Sequence, residues 1–229
     1  MMAEGDVRIA SMADLIEILR IRRQDATFFY RGEDRAVYPL LPKWGRYQQL
    51  DQRNTSNIER SMLAYFKRRS APLLSAHPQN DWEWLAIAQH HGLPTRLLDW
   101  TENPLIAAYF ATRGSAENDR VLYTFMRKTL TEADESTSPF ELEDVATYSP
   151  KHLAARITSQ TGVFTVHGLP TIPFHSDPRI ERWVIDGSAV DEIRTTLYAF
   201  GFNEAFVFAD LDGLCRYLCE RLVYGYILS

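Results

Sequence analysis

The stretch HHGLPTRLLDWTENPLIAAYFA, residues 90–111, sets two histidines, an arginine, an aspartate and a tryptophan directly before an apolar run. Thr95 to Asp99 reads as a short strand, and PLIAAYFA reads as a helix. Thr101 or Asn103 can cap that helix, and Pro104 is tolerated in a first turn, where no N–H partner is needed. Ala107, Ala108 and Phe110 are predicted to be its buried face. A strand that ends in polar groups and feeds a helix N-terminus is either a structural corner or one wall of a binding site. Spare N–H donors beside a flat indole make the second reading concrete, with Asp99, Trp100 and Thr101 as a polar ledge.

Working outward, Ser11-Met12-Ala13-Asp14 before LIEILRIR predicts a capped amphipathic helix. Ala26 to Tyr30 is a short aromatic strand that delivers Arg31-Gly32 at its end. Asn57 to Arg69 has helical spacing of Ile58, Met62, Leu63 and Phe66, and Asp81 to His91 a second such pattern, with Asp81 as N-cap and Gly92 as its end. Strands are predicted at 121–127, 162–168, 182–186 and over AFVFAD (205–210), with an acidic surface loop at 129–144. Helices are predicted at 191–201, closed by Gly201, and over LDGLCRYLCERLVYGY (211–226). Helices crowd the first half and strands the second, which predicts an α+β fold rather than a doubly wound sheet.

Composition removes several function classes. The chain has 229 residues, 45% hydrophobic and 24% charged, enough for one sizeable domain. A net charge of −5 provides no basic field for non-specific nucleic-acid binding. No apolar run approaches the roughly 20 residues needed to cross a bilayer, and MMAEGDVRIA lacks a signal peptide's apolar core. Cys215 and Cys219, four apart in a helical segment, are predicted to be small core residues, and a reducing cytoplasm fits them. The histidines show no HExxH spacing, adjacent His90 and His91 point about 100° apart, and no GxSxG elbow is present. No metal is expected.

Two further segments carry candidate chemistry. Arg31 can grip an anion such as a pyrophosphate while Gly32 lets a ligand approach the backbone, or Arg31 can simply pair with an acidic neighbour. Asp99 can likewise line a site, or pair with Arg96. Gln160 precedes Gly162 and can orient a ligand hydroxyl; Glu102 and Glu181 are the nearest carboxylates in these segments.

The segments FYRGED (29–34), HHGLPTRLLDWTENPLIAAYFA (90–111), RITSQTGVF (156–164) and FADLDGLCRYL (208–218) resemble, in order, the blocks of the FRG domain family. The resemblance makes the whole chain one FRG domain: residues 1–25 are an N-terminal helix leading in, and 26–218 the core. It implies a layout similar to ADP-ribosyltransferases, a split mixed and antiparallel sheet with helices packed around it. Tyr30, Arg31 and Gly32 then correspond to the NAD-holding first strand, and Asp99, Trp100 and Thr101 stand where a Ser-Thr-Ser motif would. Gln160 stands where that fold usually has a glutamate; an amide cannot supply its negative charge. Three readings follow. The first is an NAD-dependent ADP-ribosyltransferase or NAD glycohydrolase, with Arg31 and Gln160 as catalytic residues. The family context implies a toxin or phage-defence effector with an unidentified protein or nucleic-acid acceptor and an antitoxin or immunity partner. The second is a non-catalytic nucleotide- or ADP-ribose-binding module. The third is a nucleic-acid-binding protein using RRQ (22–24) and FKRRS (66–70).

Overall fold

The computed structural model describes residues 6–22, 27–47, 55–74, 77–114, 118–150 and 162–223. Eight strands among them form one mixed sheet: β1 (Val7–Ile9), β2 (Phe28–Glu33), β3 (Leu97–Thr101), β4 (Arg120–Met126), β5 (Thr131–Glu132), β6 (Val145–Tyr148), β7 (Gly162–His167) and β8 (Glu181–Ile185). Their order is β1-β8-β4-β2-β3-β7-β6-β5, with parallel pairs only at the two edges among the described residues. Among the described residues seven α-helices accompany them: α1 (Met12–Arg22), α2 (Thr55–Ser70), α3 (Asp81–His90), α4 (Pro104–Ala111), α5 (Val190–Ala199), α6 (Glu204–Phe208) and α7 (Leu211–Val223). The α+β expectation holds.

The sheet is nearly two sheets. Strand β2 pairs with β4 over six positions, and β3 with β7 over five, but β2 and β3 share the single pair Tyr30–Thr101. Beyond it, Arg31–Glu33 and Leu98–Trp100 would face each other in an antiparallel ladder, yet that ladder is not formed. Strand alternation then sorts the side chains. Tyr30 and Leu122 face α1, α4 and α5, in a core with Leu15, Ala107, Trp183 and Ile193. On the other half of the same face, Leu97, Phe164 and Val166 pack against Leu63 of α2 and Trp82 and Leu85 of α3. The opposite face buries Phe29, Leu98, Trp100 and Phe125 beneath Leu40 and Phe174, which come from loops. Two groups of helices therefore stand on the two halves of one sheet face, and the unzipped β2–β3 seam runs between them.

Two local devices fix this arrangement. The Asn103 side chain accepts from the N–H groups of Leu105 (2.9 Å) and Ile106 (3.4 Å), so Asn103, not Thr101, caps α4. Its small residues Ala107, Ala108 and Ala111 then lie directly on β2. At Gly32 an added Cβ would sit 1.9 Å from the Ala107 carbonyl oxygen and 2.6 Å from the Ala111 nitrogen. Gly32 is thus required as glycine because helix backbone occupies its side-chain space, and it also lies on the lining of the cavity described below. Beneath β3, Arg96 and Glu59 are both fully buried and joined at 2.9 Å, with the Arg96 backbone N–H donating to the same carboxylate at 2.8 Å. The pair ties α2 to the start of β3, and additional bonds from Arg96 to Pro139 and Ser56 satisfy the guanidinium.

Several expectations are corrected. The 205–210 segment forms α6, because Asn203 accepts from the Phe206 N–H at 3.1 Å and Ala209 adopts a left-handed φ of 38° that ends the turn. Cys215 and Cys219 are exposed, since α7 turns other residues toward α6. Asn80, not Asp81, caps α3. Strand β3 runs two residues later than expected, and the 129–144 segment contains β5 and a buried Phe140. The short strands β1, β5 and β6 have no counterpart in the sequence reading. Among the described residues, no helix is long and apolar enough to cross a membrane.

Replacing Gly32 with alanine should cost roughly 3 kcal/mol or more, because backbone on both sides of the new methyl cannot yield as a side chain would. Urea unfolding measures it; a loss under about 1 kcal/mol would mean that α4 does not rest on β2.

Candidate functional site

The unzipped seam opens into two cavities. One, about 300 Å³, lies between α3, α4 and the strands, bordered by Tyr30, Gln89, His90, Asp99, Phe110 and Phe164. The other, about 410 Å³, lies at the mouth of the seam and is bordered by Lys43, Arg46 and Tyr47. Arg31, Gln89 and Asp99 belong to both linings. Volumes of this order suit small-molecule ligands.

Arg31 spans the seam. Its Nη1 donates to the Asp99 carbonyl oxygen at 2.8 Å, replacing the missing ladder bonds, and its Nε donates to Glu33 at 2.8 Å. The Asp99 carboxylate is 3.7 Å from Nη1, while Glu33 is 2.7 Å from Nη2. Burial disfavours the Arg31 charge, but Glu33 and Asp99 more than offset it and raise its pKa above the ordinary value. The side chain is 17% exposed, so it still reaches the cavities. Around it, Arg46 lies 3.6 Å from Glu33, and Lys43 donates to the Gly92 carbonyl oxygen at 2.6 Å. Three cations against two carboxylates leave this corner positive in an acidic protein.

Asp99 extends from β3 into the cleft with 58% of its side chain exposed. Gln89 of α3 donates from Nε2 to its carboxylate at 2.8 Å, and the Thr95 hydroxyl donates to Gln89 Oε1 at 2.7 Å. The expected alternative, a pair between Asp99 and Arg96, does not occur, because Arg96 is buried on Glu59.

Trp100 lies on the lining of the cavity with Asp99 and Thr101, but its ring does not present an open face there. Neighbours on a strand point to opposite faces, so if Asp99 faces the helices Trp100 cannot. Its ring is 3% exposed in the loop-covered core, edge-on to Phe125 at 4.8 Å, with Nε1 donating to Thr165 at 2.8 Å. The Thr165 hydroxyl in turn lies 2.9 Å from Nε2 of buried His167. Burial, then the Arg31 and Arg96 cations, push the His167 pKa down to about 3. Thr101 closes the seam and accepts from the Asn103 N–H at 3.1 Å. Tyr30 is buried beside Trp183 and borders the cavity. Phe110, expected in the core, is half-buried and forms a cleft wall, edge-on to Phe208 at 5.9 Å. Arg31 lies within β2, two residues before its end. Gln160 and Arg156 lie outside the described residues. Glu181 is paired with Arg22 on β8, and Glu102 is exposed beyond the seam.

The sequence reading missed Glu33, Lys43, Arg46, Tyr47 and Gln89. For Glu33 the signal was present, since positions 31 and 33 of a strand share a face. Nothing local marks the others; they reach the seam through tertiary folding. Among the described residues, no group of three His, Cys, Asp or Glu side chains is disposed to hold a metal ion. The basic run at 66–70 closes α2, with Lys67 paired to Asp81.

Residues 26–120 match the family model of the FRG domain, so this segment carries an FRG domain. It runs from β2 into the first residue of β4 and contains the residues at the seam's mouth, Arg31, Lys43, Arg46 and Tyr47, with Gln89 and Asp99. No curated protein and no solved structure matches the chain significantly.

Two outcomes check this geometry. Trp100→Ala should destabilise by about 3–5 kcal/mol and exceed Phe110→Ala, whose ring is partly in the cleft already; thermal melts give the order. His167 generates a pH dependence. Its folded pKa lies below the unfolded 6.5, so the unfolded chain binds a proton that the native state excludes. Stability from this site is complete above 6.5 and falls as pH drops toward 3, by up to about 1.4 kcal/mol per unit. Urea titrations at pH 7 and 5 should show His167→Gln with a smaller drop than the parent; equal drops would place the imidazole in solvent.

Proposed function

We propose that this FRG-domain protein binds NAD or a related dinucleotide across the seam and releases or transfers its ADP-ribose portion to an unidentified protein or nucleic-acid acceptor. One observation carries the reading: two cavities meet at a guanidinium. A dinucleotide has the matching form, two nucleosides joined by a pyrophosphate. Arg31 would hold the pyrophosphate with charge-assisted hydrogen bonds, helped by Lys43 and Arg46. The cavity walled by Phe110 and Phe164 suits the nicotinamide, which leaves as a neutral ring. The exposed Tyr47 offers the adenine a stacking face at the mouth. The resemblance to ADP-ribosyltransferases supports the same assignment of Arg31.

A binding-only reading has an observation of its own. Asp99 is the single carboxylate in the described lining of the two cavities, and it is already engaged by Gln89.

Calorimetry with NAD and ADP-ribose should show binding that weakens as salt rises. A Lys43→Ala, Arg46→Ala double variant should bind roughly tenfold to hundredfold more weakly, the loss expected for charge-assisted contacts. No heat with either nucleotide on folded protein removes the proposal. Nicotinamide release separates the enzyme from the binding module.

A further inference from the structure

The surroundings of Asp99 differ from those of the other carboxylates near the seam. Glu33 takes the close, two-bond contact with Arg31, at 2.8 Å from Nε and 2.7 Å from Nη2. This leaves Asp99 with only the 3.7 Å approach to the same guanidinium. Asp99 therefore shares the guanidinium with Glu33 at the longer distance, and its charge is paired less closely than that of Glu33. At the same time the carboxylate is not loose. Gln89 holds it at 2.8 Å, and Thr95, itself buried, fixes the Gln89 amide from behind at 2.7 Å. A neutral amide orients a carboxylate without cancelling its charge. More than half of the Asp99 side chain faces the open cleft, where it lies on the lining common to both cavities.

A charge that is exposed to a cleft, oriented by a braced neutral partner and only loosely paired, because a neighbouring carboxylate takes the close contact, is arranged for a ligand rather than for the fold. We infer that Asp99 is the catalytic carboxylate of this site and that it acts on the ribose carbon attached to nicotinamide. The inference rests on the dinucleotide reading above and assigns its chemistry to β3.

The reaction accessible without an acceptor is hydrolysis. The bond between C1′ and the nicotinamide nitrogen breaks, and its electron pair moves to the ring nitrogen, so the cationic ring departs neutral. The positive charge passes to C1′ and the ribose ring oxygen, opposite the Asp99 carboxylate, which stabilises it electrostatically. Water adds its oxygen to C1′ and gives up one proton, which Asp99 accepts and passes to solvent. NAD and water thus become ADP-ribose, nicotinamide and one proton. Removing one preorganised electrostatic group of this kind typically costs a factor of about 10²–10³ in kcat.

The experiment compares wild type and Asp99→Asn, which keeps the side-chain shape and an oxygen acceptor for Gln89. Nicotinamide release from NAD gives kcat, calorimetry with ADP-ribose gives Kd, and a thermal melt verifies the fold; Asp99→Ser replaces the first variant if its melt is lowered. The expected result is release by wild type, a loss of about a hundredfold or more in the variant, and a Kd within about threefold of wild type. Turnover in the variant within tenfold of wild type overturns the role of Asp99 while the dinucleotide reading stands. Loss of ADP-ribose binding together with turnover, at an unchanged melt, also overturns it, because Asp99 would then be a binding group. Wild type that binds ADP-ribose but releases no nicotinamide overturns the catalytic role and leaves binding. Wild type that binds neither nucleotide fails the dinucleotide reading itself.

Discussion

The join between β2 and β3 governs the rest of this structure. A sheet that paired these strands fully would have no opening on its helical face. One that parted them altogether would be two separate sheets. Here a single backbone pair at Tyr30–Thr101 holds the halves together, and the Arg31 side chain takes over where the ladder stops. The side chain that completes the sheet is thereby also the one at the centre of the opening. A structural role and a ligand-holding role for Arg31 are consequently not alternatives.

The same economy shows in the charges. A guanidinium placed in a seam needs counter-charges, or its burial would oppose folding. Glu33 supplies most of that compensation from the same strand, and Asp99 on the opposite strand adds to it from 3.7 Å. Glycine at position 32 extends the logic to the backbone: it lets the α4 backbone lie against β2, and α4 forms one wall of the cleft. At the far end of α4, buried Glu204 accepts from the Tyr109 hydroxyl at 2.6 Å and pairs with Arg113 and Arg216 at 2.9 Å, anchoring α6 and α7 to the same wall. Burial, then the Glu204 carboxylate, raise the Tyr109 pKa well above its usual value.

What was legible in the sequence was what local chemistry controls. The Ser11 cap, the Asn103–Pro104 start of α4, and Gly92 and Gly201 at positive φ after α3 and α5 were all readable from residue type. So were the strand at Phe28 and the polar residues gathered near Asp99. Strand β1, three residues long, and β5, two residues long, are too short to show alternation and exist because neighbours pair with them. AFVFAD has strand-like composition, and only the Asn203 cap argued otherwise. The Trp100 ring is buried on the face opposite Asp99 for a reason present in the sequence itself: the two-residue period of a strand separates the two side chains. Lys43 and Arg46, from the segment after β2, and Gln89, from the last turn of α3, join the site through the way those segments fold back on the seam, which no strand or helix period encodes.

The central claim is that Arg31 sits where two ligand cavities meet and receives the pyrophosphate of a dinucleotide. A crystal structure of the protein with ADP-ribose tests it most directly. The account predicts the diphosphate within hydrogen-bonding distance of the Arg31 guanidinium, with one sugar on either side of the seam and Asp99 beside the terminal ribose. ADP-ribose bound elsewhere on the protein, with the seam between β2 and β3 vacant, would contradict it.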